Sequence, residues 1–301
     1  MTDFRSGFIT ILGKPNVGKS TLMNVLLGHK IAAVSPRPQT TRRRQLGILT
    51  TEKAQLIFVD TPGIHKPLHK LGEFLNQEAE EALEEVDVVL FLVDASQPPD
   101  DEDRRVAALL GHLKHPPSYL IGLNKIDLVS GEDLEARQTL YRSLLPEAPL
   151  LAFSAVSGQG LDRLLQALAE RLPIAPPQYP EDQLTDLYER EIAADLIREA
   201  ALLLLRDEVP HAIAVRIDEF KERSDSLAYI RATLFVERES QKAIVIGQDG
   251  QMLKKIGIHA RQEIEAMSGR KVYLELRVKV EKNWREREDI LRRFGYKLKR
   301  R

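Results

Sequence analysis

Apolar runs alternate with helix-like stretches through the first part of this chain. The short apolar runs predict strands, and they lie at residues 8–12, 55–59, 119–123 and 150–153. Apolar residues recur at helical spacing in residues 21–27 and 161–172, which predicts helices. This alternation is typical of an α/β fold, in which helices cover both faces of a mostly parallel sheet.

A cluster of prolines ends this first part. Pro173, Pro176, Pro177 and Pro180 would interrupt any regular element, as is typical of a linker. A chain of 301 residues is also long enough for two domains, each with its own core. We therefore predict an α/β domain at residues 1–172, a linker at 173–184 and a second domain at 185–301.

The pattern after the linker differs from that of the first part. It predicts, in order, a helix at 185–205, strands at 211–220 and 227–236, an apolar run at 243–246, a helix at 251–267, a strand at 272–280 and a short basic helix at 284–299. Strands and helices here do not alternate regularly, so this domain is predicted to be α+β.

Charge divides the chain in the same way. The formal net charge is −1, yet residues 238–301 hold eighteen Lys and Arg against nine Asp and Glu. The remaining residues hold 26 basic against 36 acidic side chains. The basic end predicts an anionic partner, either nucleic acid or a membrane surface.

Composition excludes several kinds of chemistry. The chain has no cysteine, which excludes disulfides and thiolate ligands and fits a cytoplasmic location. It shows no secretion signal and no apolar stretch of membrane-spanning length, so any membrane contact should be peripheral. His65 and His69 have the spacing of metal ligands but lie in a lysine-containing loop, and we predict no zinc site there.

Residues 13–20 read GKPNVGKS between a predicted strand and a predicted helix, which is the context of a phosphate-binding loop. Gly13 and Gly18 let backbone N–H groups converge on a phosphate, and the helix N-terminus adds partial positive charge. Lys19 should reach the outer phosphates, and the Ser20 hydroxyl should coordinate Mg²⁺. The predicted nucleotide-binding run is Gly13, Lys14, Pro15, Asn16, Val17, Gly18, Lys19, Ser20 and Thr21.

A second polar group follows two other predicted strands and indicates which base is bound. Asp127, in the run NKID, can accept two hydrogen bonds from guanine, whereas adenine would leave its carboxylate unpaired. Asn124 should tie this loop to the phosphate loop, and Lys125 should lie along the base. Ser154 and Ala155 should offer a backbone N–H to the guanine oxygen. The sequence therefore predicts binding of GTP and GDP.

Further candidates surround the γ-phosphate. Asp60, in the run Asp60, Thr61, Pro62 and Gly63, should hold Mg²⁺ through water, and the Gly63 N–H should sense the γ-phosphate. A threonine of the proline-broken loop at 35–44 should ligate Mg²⁺; we favour Thr41, although spacing alone does not separate it from Thr40. Lys19, Thr41 and Gly63 are the predicted catalytic residues. Arg42, Arg43 and Arg44 are either a solvated charge run or an RNA contact.

The phrases GKPNVGKS, QTTRRR, DTPG, NKID and SAVSG resemble the Era family of bacterial GTPases, within the translation-factor-related class. Ile64 stands where Ras-like enzymes have a water-orienting Gln, so the resemblance implies slow hydrolysis. It also implies that Asn16 helps to bind K⁺, although Asn16 could merely shape the turn.

The element order of the second domain resembles the type II KH domain, whose G-x-x-G loop clamps single-stranded RNA. The predicted RNA-binding residues are Gly247, Gln248, Asp249, Gly250, Lys254 and Lys255. The resemblance implies a monomeric protein that binds the 3′ end of small-subunit ribosomal RNA, assists assembly of the small subunit and contacts the inner membrane peripherally.

Two other functions remain open from the sequence. Tandem-GTPase assembly factors usually have two phosphate loops, and only one is visible here. A peripheral membrane signalling GTPase would instead use the KH-like domain for protein contacts.

Overall fold

The computed structural model describes residues 3–35, 37, 40–64, 69–83, 86–113 and 117–296. The chain forms two compact units. The first comprises Met1–Lys30, Thr41–Lys66 and Leu75–Asp186, and the second comprises Ile31–Thr40, Pro67–Phe74 and Leu187–Arg301.

A six-stranded sheet forms the centre of the first unit. Its strands are β1 (Arg5–Leu12), β2 (Gln45–Thr50), β3 (Ala54–Asp60), β4 (Val88–Asp94), β5 (Ser118–Asn124) and β6 (Leu150–Ala152). The order is β2-β3-β1-β4-β5-β6, and each neighbouring pair is parallel except β2 with β3. Every residue of β3 and β4 is buried, which explains their unbroken apolar runs. The carboxyl ends of the parallel strands meet at one edge, where ligands of such sheets bind.

Helices connect these strands. They are α1 (Lys19–Leu27), α2 (Lys70–Glu81), α3 (Asp101–Gly111), α4 (Gly131–Arg142) and α5 (Leu161–Ala169). Helix α3 begins with a capping box, in which Asp100 accepts from the Asp103 N–H and Asp103 accepts from the Asp100 N–H. This reciprocal cap fixes both carboxylates beside the phosphate loop.

The proline-rich segment after α5 is held against the first unit. The Gln55 side chain bonds the N–H groups of Gln178 (2.7 Å) and Tyr179 (3.0 Å) through its oxygen. Further along, the Ile48 N–H donates to the Leu184 carbonyl oxygen at 2.8 Å. The prolines prevent a helix here, and the buried Gln55 side chain pairs with backbone groups of Gln178 and Tyr179 that a helix would otherwise have paired.

The second unit is a three-stranded sheet packed against helices. Its elements are α6 (Glu189–Leu204), β7 (Ala214–Ser224), β8 (Leu227–Val236), α7 (Glu239–Ile246), α8 (Gln251–Ser268), β9 (Lys271–Val280) and α9 (Glu288–Arg293). Strand β8 pairs antiparallel with β7 and parallel with β9. Alternate residues of β8, such as Ile230 and Leu234, join a core with Leu196 and Ile256. The α+β order predicted from the sequence is present.

The C-terminal helix differs from the prediction of one basic helix at 284–299. A single 3-10 turn at Trp284–Glu286 precedes α9, and residues 297–301 lie outside the described part. The Trp284 side chain is buried and its indole N–H donates to the Ala212 carbonyl at 2.8 Å, which anchors the turn. The Arg285 guanidinium pairs with Glu237 at 2.5 Å. Part of the basic surplus is therefore neutralised inside the fold.

Two segments from the first half of the chain belong to the second unit. In one of them the Val34 N–H donates to Glu199 of α6 at 3.1 Å. Arg37 donates to the carbonyl oxygens of Leu202 (2.7 Å) and Leu205 (2.6 Å), which caps the C-terminal end of α6. The first half of the proline-broken loop is thus anchored, which the sequence did not indicate.

Candidate nucleotide site and RNA groove

The phosphate loop connects β1 to α1, and two glycines are required for its shape. A Cβ atom at Gly13 would overlap the Leu92 carbonyl oxygen. Gly18 has φ +104°, and a Cβ there would lie 2.5 Å from Asn124 Nδ2. Only glycine fits both positions, so the loop can expose its backbone N–H groups at the N-terminus of α1.

Lys19 is held at this loop by two backbone carbonyl groups. Its side chain is buried, and its Nζ donates to the carbonyl oxygens of Gly13 and Lys14, each at 2.9 Å. Burial lowers the pKa of Lys19 to about 8, although the Asp60 carboxylate opposes this shift. A cation in this position is preorganised for a phosphate ligand.

Lys14 lies in the same loop but points to helix α3. Its Nζ lies 2.7 Å from Asp100 Oδ2 and 2.8 Å from Asp103 Oδ2. Burial alone would lower the pKa of Lys14, but hydrogen bonds to these two carboxylates raise it overall. The Lys14 side chain therefore tethers the loop, and only its backbone is directed to the nucleotide site.

Three predicted metal-site residues meet behind the loop. The Ser20 hydroxyl lies 2.9 Å from both Thr41 Oγ1 and Asp60 Oδ2, and Thr41 Oγ1 lies 3.1 Å from the same carboxylate oxygen. Thr40 differs, because its hydroxyl donates to the Arg37 carbonyl at 2.8 Å. The geometry therefore groups Thr41, and not Thr40, with Ser20 and Asp60.

This oxygen cluster fits a magnesium ion. Asp60 is fully buried, and burial raises the pKa of its carboxyl. Within the described part of the chain, Asp60 Oδ1 has no hydrogen-bond partner. A buried carboxylate oxygen without a partner, beside two hydroxyl groups, is the hard-oxygen environment that Mg²⁺ prefers.

The run after Asp60 returns to the phosphate loop. The Thr61 hydroxyl donates to the Ile11 carbonyl at 3.1 Å. A Cβ atom at Gly63 would lie 2.9 Å from the Pro15 nitrogen, so only glycine lets the backbone at residue 63 come this close to the phosphate loop. Pro62 precedes Gly63 in the same run. Ile64 packs against the apolar core of the first unit and brings no polar group.

The residues predicted to read the base lie at or just after the ends of β5 and β6. Buried Asn124 donates from Nδ2 to the Val17 carbonyl, and its Oδ1 accepts the Ala155 N–H, both at 2.9 Å. The tie between base loop and phosphate loop is therefore present. Asp127 is exposed, as a carboxylate that reads a ligand must be.

The predicted N–H for the guanine oxygen is already used in this structure. The Ala155 N–H donates to Asn124, and the Ser154 N–H donates to the Gln159 carbonyl at 2.9 Å. A guanine oxygen would have to share one of these groups. Their role in base recognition stays a prediction.

The arginine run at 42–44 is not uniform. Arg42 is only 3% exposed, so it is neither solvated nor available to RNA. Arg44 is exposed, so it can be either a solvated charge or an RNA contact. Of the two histidines with the spacing of metal ligands, His65 lies outside the described residues. His69 Nδ1 lies 2.6 Å from Glu286 Oε1.

The second site is a groove between α8 and β9. The loop before α8 has positive φ at Gly247 (+73°), Asp249 (+51°) and Gly250 (+74°). A Cβ at Gly247 would lie 2.7 Å from that of Met252, whereas one at Gly250 would meet nothing within 4 Å. Gly247 is therefore needed for packing. Gly250 leaves its backbone open to the groove.

The groove has a volume of about 450 Å³ and a mixed lining. Its apolar wall includes Ile258, Leu274 and Leu276, while Lys254 and Arg261 supply positive charge. Lys255 is exposed but lies outside the lining. Arg261 was not among the residues predicted from the sequence, although it follows Lys254 by two helical turns and so shares its face of α8.

Among the described residues, no group of three or more His, Asp or Glu side chains could hold a metal ion. In the same part of the chain, no helix has the length and apolarity to cross a membrane.

Two family models match the chain. Residues 8–125 match a 50S ribosome-binding GTPase, and residues 208–285 match a KH domain. The chain is 48% identical over 293 residues to GTPase Era of Geotalea uraniireducens, covering 97% of this chain and 98% of that protein. It is 46% identical over 296 residues to GTPase Era of Heliobacterium modesticaldum, covering 98% of each.

Solved structures give the same result. One is Era in complex with MgGDPNP and nucleotides 1506–1542 of 16S ribosomal RNA, with a TM-score of 0.93 and 41% identity over 98% of this chain and 100% of that one. Another is an Era variant of Aquifex aeolicus bound to GDP and AlF4⁻, with a TM-score of 0.92, 41% identity and the same coverage. The chain is therefore a GTPase, and it belongs to the Era family.

Proposed function

We propose that this GTPase binds the 3′ end of small-subunit ribosomal RNA in the groove between α8 and β9, and that it assists small-subunit assembly. The observation that carries the proposal is the open backbone at Gly250 beside Lys254 and Arg261. The related Era structure that holds nucleotides 1506–1542 of 16S ribosomal RNA supports the choice of ligand.

The groove has the features that a single strand requires. At Gly250 a phosphate can approach N–H groups at the start of α8, where the helix adds partial positive charge. The apolar wall at Ile258 and Leu276 can take the faces of unstacked bases. Asp249 is exposed in the same loop, and its negative charge means that fit, rather than charge alone, decides binding.

We assign a task to each predicted residue of the nucleotide site. Lys19 would bind the outer phosphates, and the Gly63 N–H would sense the γ-phosphate. Ser20 and Thr41 would hold Mg²⁺ directly and Asp60 through water. When bound, the ion would neutralise charge that develops on the phosphate oxygens. The N–H groups of Gly13, Lys14, Asn16, Val17, Gly18, Ser20 and Thr21 would surround the phosphates, and Pro15, which has no N–H, would shape the loop between them.

GTP hydrolysis by the protein's own side chains alone should be slow. Ile64 is packed in the core and offers no hydrogen bond to the attacking water. We infer that a monovalent cation compensates, with the Asn16 side chain as one ligand. Asn16 has φ +65°, which places it in a strained turn beside the phosphates.

Hydrolysis should therefore depend on K⁺. We expect GTP turnover to be about tenfold faster in K⁺ than in Na⁺ at equal ionic strength. The advantage should disappear in Asn16→Gly, which retains the positive φ without the side chain. Equal rates in the two salts would refute the role of the cation, and a K⁺ advantage that persists in the variant would refute the role of Asn16.

The groove is tested by two matched glycine variants. Gly250 and Gly269 both have positive φ (+74° and +69°) and open space for a Cβ, but only Gly250 faces the groove. We expect Gly250→Asn to weaken binding of a 3′-end fragment of 16S RNA at least tenfold, because its side chain blocks the backbone. Gly269→Asn should bind within twofold of the parent protein.

Affinity is to be measured at two salt concentrations against a fragment of shuffled sequence. Preference for the true sequence should survive moderate salt, since charge alone gives binding that salt weakens strongly and sequence hardly affects. Equal affinities of the Gly250 and Gly269 variants, or no preference for sequence, would contradict the groove assignment.

Other expectations stay predictions. They are the domain bounds at 1–172, 173–184 and 185–301, a monomeric state, and peripheral contact with the inner membrane. The alternative of a membrane signalling GTPase that uses its KH domain for protein contacts gains no support from the described residues.

A further inference from the structure

Asp94 ends strand β4, beside Asn124 at the end of β5, and its two carboxylate oxygens have different partners. Oδ1 accepts the Ser96 N–H at 2.9 Å and the Ser96 hydroxyl at 2.6 Å, which closes the turn after the strand. Oδ2 lies 2.5 Å from Lys125 Nζ. One oxygen therefore stabilises the turn, and the other forms an ion pair with the lysine.

Lys125 is held from two sides. Its Nζ also donates to the Asn16 carbonyl oxygen of the phosphate loop at 2.7 Å. Its backbone has φ +66°, so the turn and these two contacts together fix the path of the side chain. The ammonium group is thus occupied, and the aliphatic stem remains as the surface offered to a base.

We propose that Asp94 is a positioning residue of the nucleotide site: it fixes Lys125 so that the stem of the lysine lies against guanine and the ammonium bridges to the phosphate loop. This inference rests on the proposed placement of guanine beside Lys125. Because the base and loop contacts are common to both nucleotides, Asp94 should strengthen binding of GDP and GTP alike.

A purely structural role for Asp94 is the competing explanation. The Asp94 carboxylate is mostly buried, with 11% of its side chain exposed, and its backbone carbonyl accepts the Tyr141 hydroxyl at 3.1 Å. Burial alone would raise the pKa of Asp94, but the hydrogen bonds from Lys125 and Ser96 leave it lowered. Burial and pKa fit either role. Because Oδ1 contacts Ser96 and Oδ2 contacts Lys125, a substitution that alters only the Oδ2 contact can distinguish them.

Asp94→Asn exploits that division. The amide oxygen can keep both contacts with Ser96, while the amide nitrogen would face the ammonium as a second donor. The variant should bind GDP and GTP about tenfold more weakly, as expected for the loss of a charge-assisted hydrogen bond. Its turnover at saturating GTP should stay within twofold, because the contact is equal in ground and transition states.

A double-mutant cycle with Lys125→Met provides the decisive readout, since Met retains an aliphatic stem without the ammonium. In that background we expect Asp94→Asn to change GDP affinity by less than twofold. Glu147→Gln is the control, because it removes one exposed carboxylate from the same unit and should change nothing. If Asp94→Asn does not fold, Ser96→Ala takes its place in the cycle, with a smaller loss expected.

The outcomes separate the two proposals. If Lys125→Met alone leaves nucleotide affinity unchanged, the ammonium contacts do not support binding and Asp94 has no positioning role, whereas the base site itself is tested by Asp127→Asn. If Lys125→Met weakens binding but the Asp94 variant does not, or if the two effects add fully, Asp94 has no positioning role.

Discussion

Asp127→Asn is expected to reverse the base preference of this GTPase from GTP to XTP. The carboxylate would accept two hydrogen bonds from guanine, and an amide offers one acceptor and one donor, which matches xanthine. We expect GTP affinity to fall about a thousandfold, because a site built for particular hydrogen bonds rejects a ligand that leaves them unmade. Affinity for XTP should rise. Both affinities are to be measured by titration with fluorescent nucleotides.

A control separates base reading from loss of charge. Asp162→Asn removes an exposed carboxylate from the first turn of α5 in the same unit, and it should leave both affinities unchanged. If the Asp127 variant still prefers GTP, the base-reading loop has been assigned wrongly.

Thr41→Ala should lower the rate of GTP hydrolysis about a hundredfold, the usual cost of removing one group that stabilises the transition state. Its hydroxyl lies with Ser20 and Asp60 in the oxygen cluster that fits Mg²⁺. GDP affinity should change little if Thr41 acts only when the γ-phosphate is present. Single-turnover hydrolysis and GDP titration measure the two effects.

Thr40→Ala is the matched control. Its hydroxyl donates to the Arg37 carbonyl, away from that cluster, so hydrolysis should stay within threefold of the parent rate. A larger loss in the Thr40 variant than in the Thr41 variant would show that the wrong threonine has been chosen.

The sequence predicted those parts of the fold that depend on local spacing. The phosphate loop follows from glycines and a lysine at fixed intervals, and the structure requires glycine at Gly13 and Gly18 for steric reasons. The tie from Asn124 to Val17 was predictable because each lies in a recognisable motif. Strand β8 was predicted to the residue, since one face of it is buried.

Contacts between residues far apart in the chain were not predictable in the same way. Asp94 and Lys125 pair only because β4 and β5 are neighbours, which the sequence does not state. The sequence pattern at 42–44 is typical of a solvated charge run, yet the Arg42 side chain is buried. The linker has an irregular sequence pattern, yet hydrogen bonds with the Gln55 side chain and with the backbone of β2 hold it in place.

The groove of the second unit also depends on contacts between residues far apart in the chain. Its loop was found from G-x-x-G, but Tyr273 and Leu276 join the lining only because β9 lies beside α8. Contacts with α6 place Val34 and Arg37 in the second unit, which no local pattern in the sequence indicates.

Recognition of the 3′ end of 16S ribosomal RNA through the groove at Gly250 is the basis of the function proposed for this GTPase. The most direct test is to crosslink the protein to RNA in cells and sequence the bound fragments, for the parent chain and for Gly250→Asn and Gly269→Asn. We predict that fragments from the 3′ end of 16S RNA dominate for the parent and the Gly269 variant and are lost for the Gly250 variant. Fragments spread over abundant RNAs without that peak, or a peak that persists in the Gly250 variant, would contradict the account.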